Sequence, residues 1–400
     1  MHNRYRSGAP SGENRVVDQE GEALAALGHE VAGFGRSSDE IEQWSPAKKA
    51  SLPGRSVWSR ETRRDLAAVL REHRPEVVHV HNTFPLLSAS VLSACRDARV
   101  PVVATIHNYR LACANGTFFR HGAVCHDCAD GQPIPAVVHG CYRGSRAATA
   151  PVALAVSLHR QAWRSLVSAY IFISASQRDL LQGVGLAPER VFVRYNLIPG
   201  KDRPRMTGTP TVVYAGRLDE PKGVRLLMAG WDRYLRDSAE PGLSLAIAGA
   251  GPLTGEMAAW AAARPSVAMK GQLSGDQCAE LISGARAVVL PSAWEETFGL
   301  VAVEAMAAGV PPIAADHGSF TELITPGVDG ALFSPGDPAA LALAIADVER
   351  NPEQYEVYGD QARKTYEQRF DPRRSVEELL EIYRFAIGNP VVVKHEGAGN

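Results

Sequence analysis

Short apolar runs alternate with stretches of helical period through most of the chain, and this pattern restricts the fold more than any other feature. The runs are "PEVVHVH" (75–81), "VPVVATIH" (100–107) and "AYIFIS" (169–174), then "TVVYAG" (211–216), "LSLAIAG" (243–249), "SVAMKG" (266–271), "AVVLPS" (287–292) and "PPIAA" (311–315). Strands separated by helices build parallel sheets, so the expected class is α/β. One stretch, "NLIPGKDRPRMTGTP" (196–210), carries Pro, Gly and charge but no apolar period, and a new strand–helix series follows it. We place a domain boundary there. A chain of 400 residues, 45% of them hydrophobic, supplies two cores. The last helical pattern (352–370) breaks at Asp371-Pro372 and resumes over 375–387, so Pro372 is expected to split it.

Charge and cysteine content narrow the partners. Lys and Arg number 42 against 44 Asp and Glu, a net charge of −2, which argues against nucleic acid binding driven by whole-chain charge. An anionic ligand must be gripped by local groups. No run approaches the length of a membrane span and the N-terminus is polar, so the expected location is cytoplasmic. Six cysteines are too few for a disulfide scaffold, and reduced thiols are expected. The basic helical segment "RETRRDLAAVLREHR" (60–74) reads first as a solvated face and second as a weak peripheral membrane contact.

The most informative constellation is "PSAWEETFGLVAVEAMAAGVPPIAADHGSFTE" (291–322). A strand, a loop and a helix follow one another, with Glu296 just before the helix and Glu304 in its second turn. Backbone N–H groups near Phe298, Gly299 and Leu300 then sit at a helix start, where unpaired donors and the positive dipole end suit a diphosphate. The two carboxylates suit sugar hydroxyls, which are donors to an acceptor-only group. In "YAGRLDEPKGVRLL" (214–227) a strand ends at Gly216, Arg217 follows, and Lys222 precedes a second helix. Two cations at the carboxyl end of a parallel sheet point to where ligands bind in such folds. "AIAGAGPL" (246–253) is a third strand-to-glycine turn.

On "GRLDEPKG", "AGAGP", "PSAWEETFGLVAVEAMAAG" and the two glutamates eight apart, the sequence resembles the retaining GT-B glycosyltransferases of family 4 from about residue 2 to 388. The resemblance implies two Rossmann-like domains facing across a cleft. It divides the chain into an N-terminal acceptor-side domain (1–197, with a cysteine-containing insertion 111–145), a linker (198–209) and a nucleotide-sugar-binding domain (210–370). A helix returning to the first domain (371–388) and a tail (389–400) complete it. By the same resemblance Arg217 and Lys222 bind the donor diphosphate, Glu304 the ribose hydroxyls and Glu296 the transferred sugar, while "KGQLS" (270–274) frames the base. His107, at the end of "VVATIH", matches the family histidine near the transferred sugar, whereas His79 and His81 read as structural. The implied reaction is transfer from a nucleotide-sugar donor to an acceptor hydroxyl (of a glycan, a lipid-linked sugar or a small molecule) with retention. No Asp-x-Asp triplet occurs, which agrees with catalysis that requires no metal cofactor. The alternatives are a GT-B-like sugar-nucleotide epimerase and an inactive nucleotide-sugar-binding scaffold.

Two features lie outside that frame. Cys113, Cys125, Cys128 and Cys141 fall within 29 residues around one C-x-x-C pair, a pattern open to a closed structural zinc site or to four free thiols. The opening "MHNRYRSGAPSGENRVV" supplies a glycine-bearing loop and helix with Gly12 expected beside the donor phosphates. The apolar first strand that should launch this helix is apparently missing. We therefore expect Met1 to be a mis-assigned start, or a true start codon that would encode Val internally, with a short apolar run upstream.

Overall fold

The computed structural model describes residues 1–7, 11–200 and 209–391. Parts of the expected opening loop (8–10), linker (201–208) and tail (392–400) lie outside the described residues. Contacts divide the chain into two units. The first comprises Met1–Phe118, His126–Tyr195 and the residues from Ser375 on; the second comprises Phe119–Cys125 and Asn196–Arg374.

The first unit begins with β1 (His2–Arg4) and β2 (Gly35–Ser37), which pair in parallel. A parallel ladder β3 (Val78–Val80), β4 (Val102–Ile106), β7 (Ala169–Phe172), β8 (Val191–Val193) follows. Between β4 and β7 in the sequence comes an antiparallel hairpin, β5 (Phe119–Arg120) and β6 (Ala123–Val124), which groups with the second unit.

The expectation of a missing first strand is corrected here. Residues 1–4 fill its place: His2 N–H donates to the Phe34 carbonyl on one side, while on the other His81 N–H donates to the Met1 carbonyl and Asn3 N–H to that of Asn82. A ladder is made by backbone, so side-chain polarity does not forbid a strand if the buried side chains find partners. They do. The His2 ring lies 2.7 Å from Asn14 Oδ1, Asn3 Oδ1 accepts from Leu86 N–H (3.1 Å), and the Asn3 amide donates to Ser38 Oγ (3.1 Å). Ser11 then caps the helix Gly12–Ala26, its hydroxyl accepting from Asn14 N–H.

The second unit carries a parallel sheet ordered β11 (Val267–Gly271), β10 (Ser244–Ala248), β9 (Thr211–Ala215), β12 (Ala287–Leu290), β13 (Pro312–Ala315), β14 (Ala331–Phe333). Helices Val224–Asp237 and Pro338–Arg350 bring Leu227, Trp231, Leu341 and Ile345 into its core. β2, β8 and β14 were not among the expected runs; each has three residues, too few to show a period.

The C-terminal pattern is split as its proline requires, into Pro352–Arg369 and Pro372–Gly388. Ser375 and the residues after it group with the first unit. There the buried Arg194 donates to the Ser375 carbonyl (2.7 Å) and hydroxyl (2.9 Å), and Phe385 meets Phe192 edge-on at 5.0 Å. The basic helix Arg60–His73 buries Thr62, Leu66 and Leu70 and turns Arg63 out to pair with Asp97. Among the described residues no helix is long and apolar enough to cross a membrane.

Candidate active site

In the second unit the strand order reverses between β9 and β12, because β10 and β11 lie on one side and β13 and β14 on the other. Segments leaving the carboxyl ends of two such strands diverge and open a crevice, the usual ligand position in doubly wound sheets. The segment after β9 carries Gly216, Arg217 and Lys222; the segment after β12 carries Ser292, Trp294 and Glu296.

These two segments meet. Lys222 Nζ stands 2.6 Å from Glu296 Oε1, which also accepts from Ser292 Oγ at 2.6 Å. Glu296 is only 5% exposed. Burial alone pushes its carboxyl up, but the Lys222 charge and hydrogen bonds from Lys222, Ser292 and Trp294 outweigh this and hold it below its ordinary value. It is therefore an anion at neutral pH. Backbone geometry makes the approach possible. Gly223 has φ +68°, and a Cβ there would sit 1.7 Å from the Pro291 carbonyl oxygen, so only glycine lets the two segments touch. Arg217 is half exposed, pairs with Asp219 (2.7 Å), and its own carbonyl accepts from the buried Tyr214 hydroxyl (2.7 Å). The β10 turn interlocks behind it: Gly249, at φ +144°, would drive a Cβ to within 1.8 Å of the Gly216 carbonyl oxygen.

Gly299 caps the helix Leu300–Ala307, which opens at the mouth of β12, and Glu304 lies half-buried in its second turn. Phe298 is buried against Phe370, so its side chain packs while its backbone borders the helix start. A role for the segment after β13 was not drawn from the sequence. Ser319 N–H donates to the Glu296 carbonyl (3.1 Å) and the His317 ring lies 2.8 Å from the Ser292 carbonyl, so this segment braces the loop that carries Glu296. The signal was present in "DHGSF", since a Cβ at Gly318 (φ +60°) would crowd Glu296 N at 2.7 Å.

In the first unit His107 ends β4 and is 8% exposed; Gly12 is the first residue of its helix. His107 Nε2 lies 3.0 Å from His81 Nδ1 with the rings stacked, and His81 Nε2 is 3.8 Å from Glu20 Oε2. Glu20 in turn pairs with Arg194 at 2.6 Å. Burial pushes the His107 imidazole down to about 3, with His2 and Arg194 adding repulsion, and holds His81 well below its ordinary range. Both are neutral hydrogen-bonding groups. His79 contacts Thr105 Oγ1 (2.7 Å) and the Tyr383 hydroxyl (2.8 Å), a structural role as expected for it. His81 is different from that expectation, being tied directly to His107. The alternation V-H-V-H puts both histidines on one strand face, which was the available signal.

Of the four cysteines around the C-x-x-C pair, Cys113 and Cys128 are buried and Cys125 and Cys141 half-buried. Among the described residues Glu20, His79 and His81 each bring one possible metal-ligand atom to within 4.8 Å of the others. The thiols follow different local structures: Cys113 sits in the turn after β4, Cys125 just past β6, Cys128 in a turn and Cys141 beyond the helix Ile134–His139. None of the six cysteines forms a disulfide.

The fold and the switch-point site define the class: two Rossmann-like units of the GT-B glycosyltransferase type. The solved structure of HepE from Anabaena in complex with UDP and glucose matches it at a TM-score of 0.65, with 17% identity over 95% of this chain and 99% of that one. Sucrose-phosphate synthase from Thermosynechococcus elongatus matches at 0.66, with 20% identity over 96% and 95%. The sequence gives the family. The profile "Glycosyltransferase Family 4" matches residues 10–199 and "Glycosyl transferases group 1" residues 201–365, and the chain belongs to the group 1 glycosyltransferases. Glycogen synthase of Mycobacterium tuberculosis is 29% identical over 324 residues, 78% of this chain and 69% of that protein. The phosphatidyl-myo-inositol mannosyltransferase of Mycolicibacterium smegmatis is 24% identical over 417 residues, 99% and 96% of the two chains.

Proposed function

We propose that this glycosyltransferase moves a sugar from a nucleotide-diphosphate-sugar to an acceptor hydroxyl with retention of anomeric configuration and without a divalent metal. One observation carries the reading: a lysine and a buried carboxylate, 2.6 Å apart, at the switch point of a doubly wound sheet beside a helix N-terminus. Cations and helix-start N–H groups suit a diphosphate, and carboxylates suit sugar hydroxyls. HepE, of like fold, was solved with UDP and glucose, which supports a nucleotide sugar as the donor.

In this scheme the acceptor oxygen bonds to the anomeric carbon as that carbon's bond to the diphosphate breaks. The acceptor's proton passes to the departing phosphate oxygen, so no protein nucleophile is required. Lys222, Arg217 and the backbone at 298–300 stabilise charge growing on the diphosphate, while Glu296 and Glu304 hold hydroxyls of the donor. In this scheme neutral His107 hydrogen bonds to the acceptor. The test presents UDP-, GDP-, ADP- and dTDP-sugars with a panel of hydroxyl acceptors in EDTA and assigns the product anomer by NMR. Expected is a product with the donor's anomeric configuration at undiminished rate; an inverted product, or a rate abolished by EDTA, refutes the scheme. Conversion of a donor sugar without acceptor would indicate an epimerase instead.

A further inference from the structure

A solvent-open pocket, enclosing about 850 Å³ when the open space at its mouth is included, lies within the first unit beside His107. One wall comes from the ends of β3 and β4 and presents His81, Asn82, His107 and Asn108. The facing wall comes from the helix Arg146–Leu166 and is apolar, with Val152, Ala155, Val156 and Trp163. The lining also contains two arginines, Arg110 and Arg160, and no carboxylate. Burial lowers all three lining histidines, His81, His107 and His159, so the arginines set the charge of the wall. Glu13 feels Arg110 but burial pushes its carboxyl up to about 7, which weakens it as a counter-ion.

Such a lining is poor for a sugar chain. Glycan hydroxyls are best met by carboxylates, which the lining lacks, and each of its two amide oxygens already accepts one backbone N–H: Asn82 Oδ1 from Phe84 and Asn108 Oδ1 from Arg110, each at 2.9 Å. It is good for an anion. The Arg110 guanidinium lies 4.2 Å over the Phe84 ring and donates to the Ala114 (2.7 Å) and Asn115 (3.4 Å) carbonyls. A guanidinium has five N–H donors, so this clamp fixes its plane and leaves donors to spare.

We propose that this cavity takes an amphiphilic anion as glycosyl acceptor, a hydroxyl compound whose carboxylate or phosphate meets Arg110 and whose apolar ring or chain lies against Val152, Val156 and Trp163. This deepens the transferase reading and rests on it for the word acceptor. An aromatic hydroxy acid and a lipid phosphate share that chemistry. Calorimetry on the full chain without any donor separates them, using 6-hydroxy-2-naphthoate, geranyl diphosphate, inorganic pyrophosphate and maltotriose. At least one amphiphile is expected to bind tenfold or more tighter than pyrophosphate and maltotriose, and the tighter amphiphile identifies the source. Arg110→Gln and Val156→Ser should each weaken that binding at least tenfold, and Arg110→Lys should keep most of it. Maltotriose binding as tightly as the amphiphiles overturns the proposal, as does amphiphile binding that neither Arg110→Gln nor Val156→Ser changes. Because the four-ligand comparison uses the unsubstituted protein, poor folding of a variant does not blunt it. Because binding is read without donor, a hydroxyl-bearing amphiphile such as 6-hydroxy-2-naphthoate that binds yet accepts no sugar from any donor would refute the transferase reading alone.

Discussion

Removing Lys222 should separate what the Lys222–Glu296 pair does for the fold from what it does for the reaction. In Lys222→Ala a carboxylate that is 5% exposed loses its counter-ion, and breaking a fully buried pair costs about 3–5 kcal/mol. Two features reduce that figure. The Lys222 side chain is 26% exposed, so water can enter the gap, and Ser292 still donates to Oε1 at 2.6 Å. The expected loss of stability is about 1.5–3 kcal/mol. With desolvation then less opposed, the Glu296 carboxyl should titrate higher than in the parent. Glu296→Gln leaves only a partly hydrated ammonium unpaired and should cost about 1 kcal/mol. Lys222→Ala combined with Glu296→Gln removes both charges and should recover about half of the larger loss, a coupling of about 2–2.5 kcal/mol. If Lys222 and Glu296 serve the donor as proposed, turnover behaves otherwise: each variant falls roughly 100-fold or more, and the double variant does not regain it. Urea midpoints at constant m give the stabilities, and single-turnover sugar release with the best donor gives the rates. A coupling below about 0.3 kcal/mol, or turnover restored in the double variant, refutes the reasoning.

Three further outcomes follow from the geometry. Gly223→Ala combines a left-handed backbone with a Cβ 1.7 Å from a carbonyl oxygen, so it should destabilise the second unit by about 2 kcal/mol or more and impair donor binding; a variant of parental stability contradicts the close approach. Tyr383→Phe removes the hydroxyl 2.8 Å from His79 Nδ1 and should cost about 1 kcal/mol in a urea titration, against no change if the helix Pro372–Gly388 is not seated on the first unit. Acid should destabilise the first unit: His107, at about 3 when folded against about 6.5 unfolded, takes up its proton only on unfolding, so stability present above pH 6.5 is lost as pH falls towards 3. His79 and His81 act in the same direction at up to about 1.4 kcal/mol per pH unit each, whereas Glu13, raised to about 7, opposes them between its unfolded value and pH 7. Urea midpoints that rise on acidification from pH 6.5 to 4.5 would contradict the balance.

The switch point of the second unit was legible because its groups are written beside strand ends. Arg217, Lys222 and Glu296 each stand within a few positions of a strand end, and strand ends are marked by apolar runs that stop at glycine or proline. What the sequence did not disclose was that Lys222 and Glu296, 74 positions apart, are bonded to each other rather than arrayed separately around a ligand. That contact depends on β9 and β12 being neighbours, a topological fact no local pattern contains.

The first unit resisted reading for a different reason: its important groups are polar residues buried by tertiary pairing. A search for apolar runs passes over His2-Asn3-Arg4, yet His2 is 4% and Asn3 1% exposed. Each earns its place through partners supplied by distant segments, Asn14, Ser38, Asn82 and Leu86. The same holds for Glu20 and Arg194, whose ion pair is 174 positions apart and almost wholly buried, and whose other partner is Ser375 in the C-terminal helix. Buried polar groups are costly alone and tolerable together, so such a network shows only when all of its members are placed. His81 shows the consequence: as a lone strand histidine it looks structural, and only the 3.0 Å contact with His107 makes it part of the candidate site. Replacing His81 should therefore alter His107 before it alters the fold, which is a property of the network and not of either residue's local sequence.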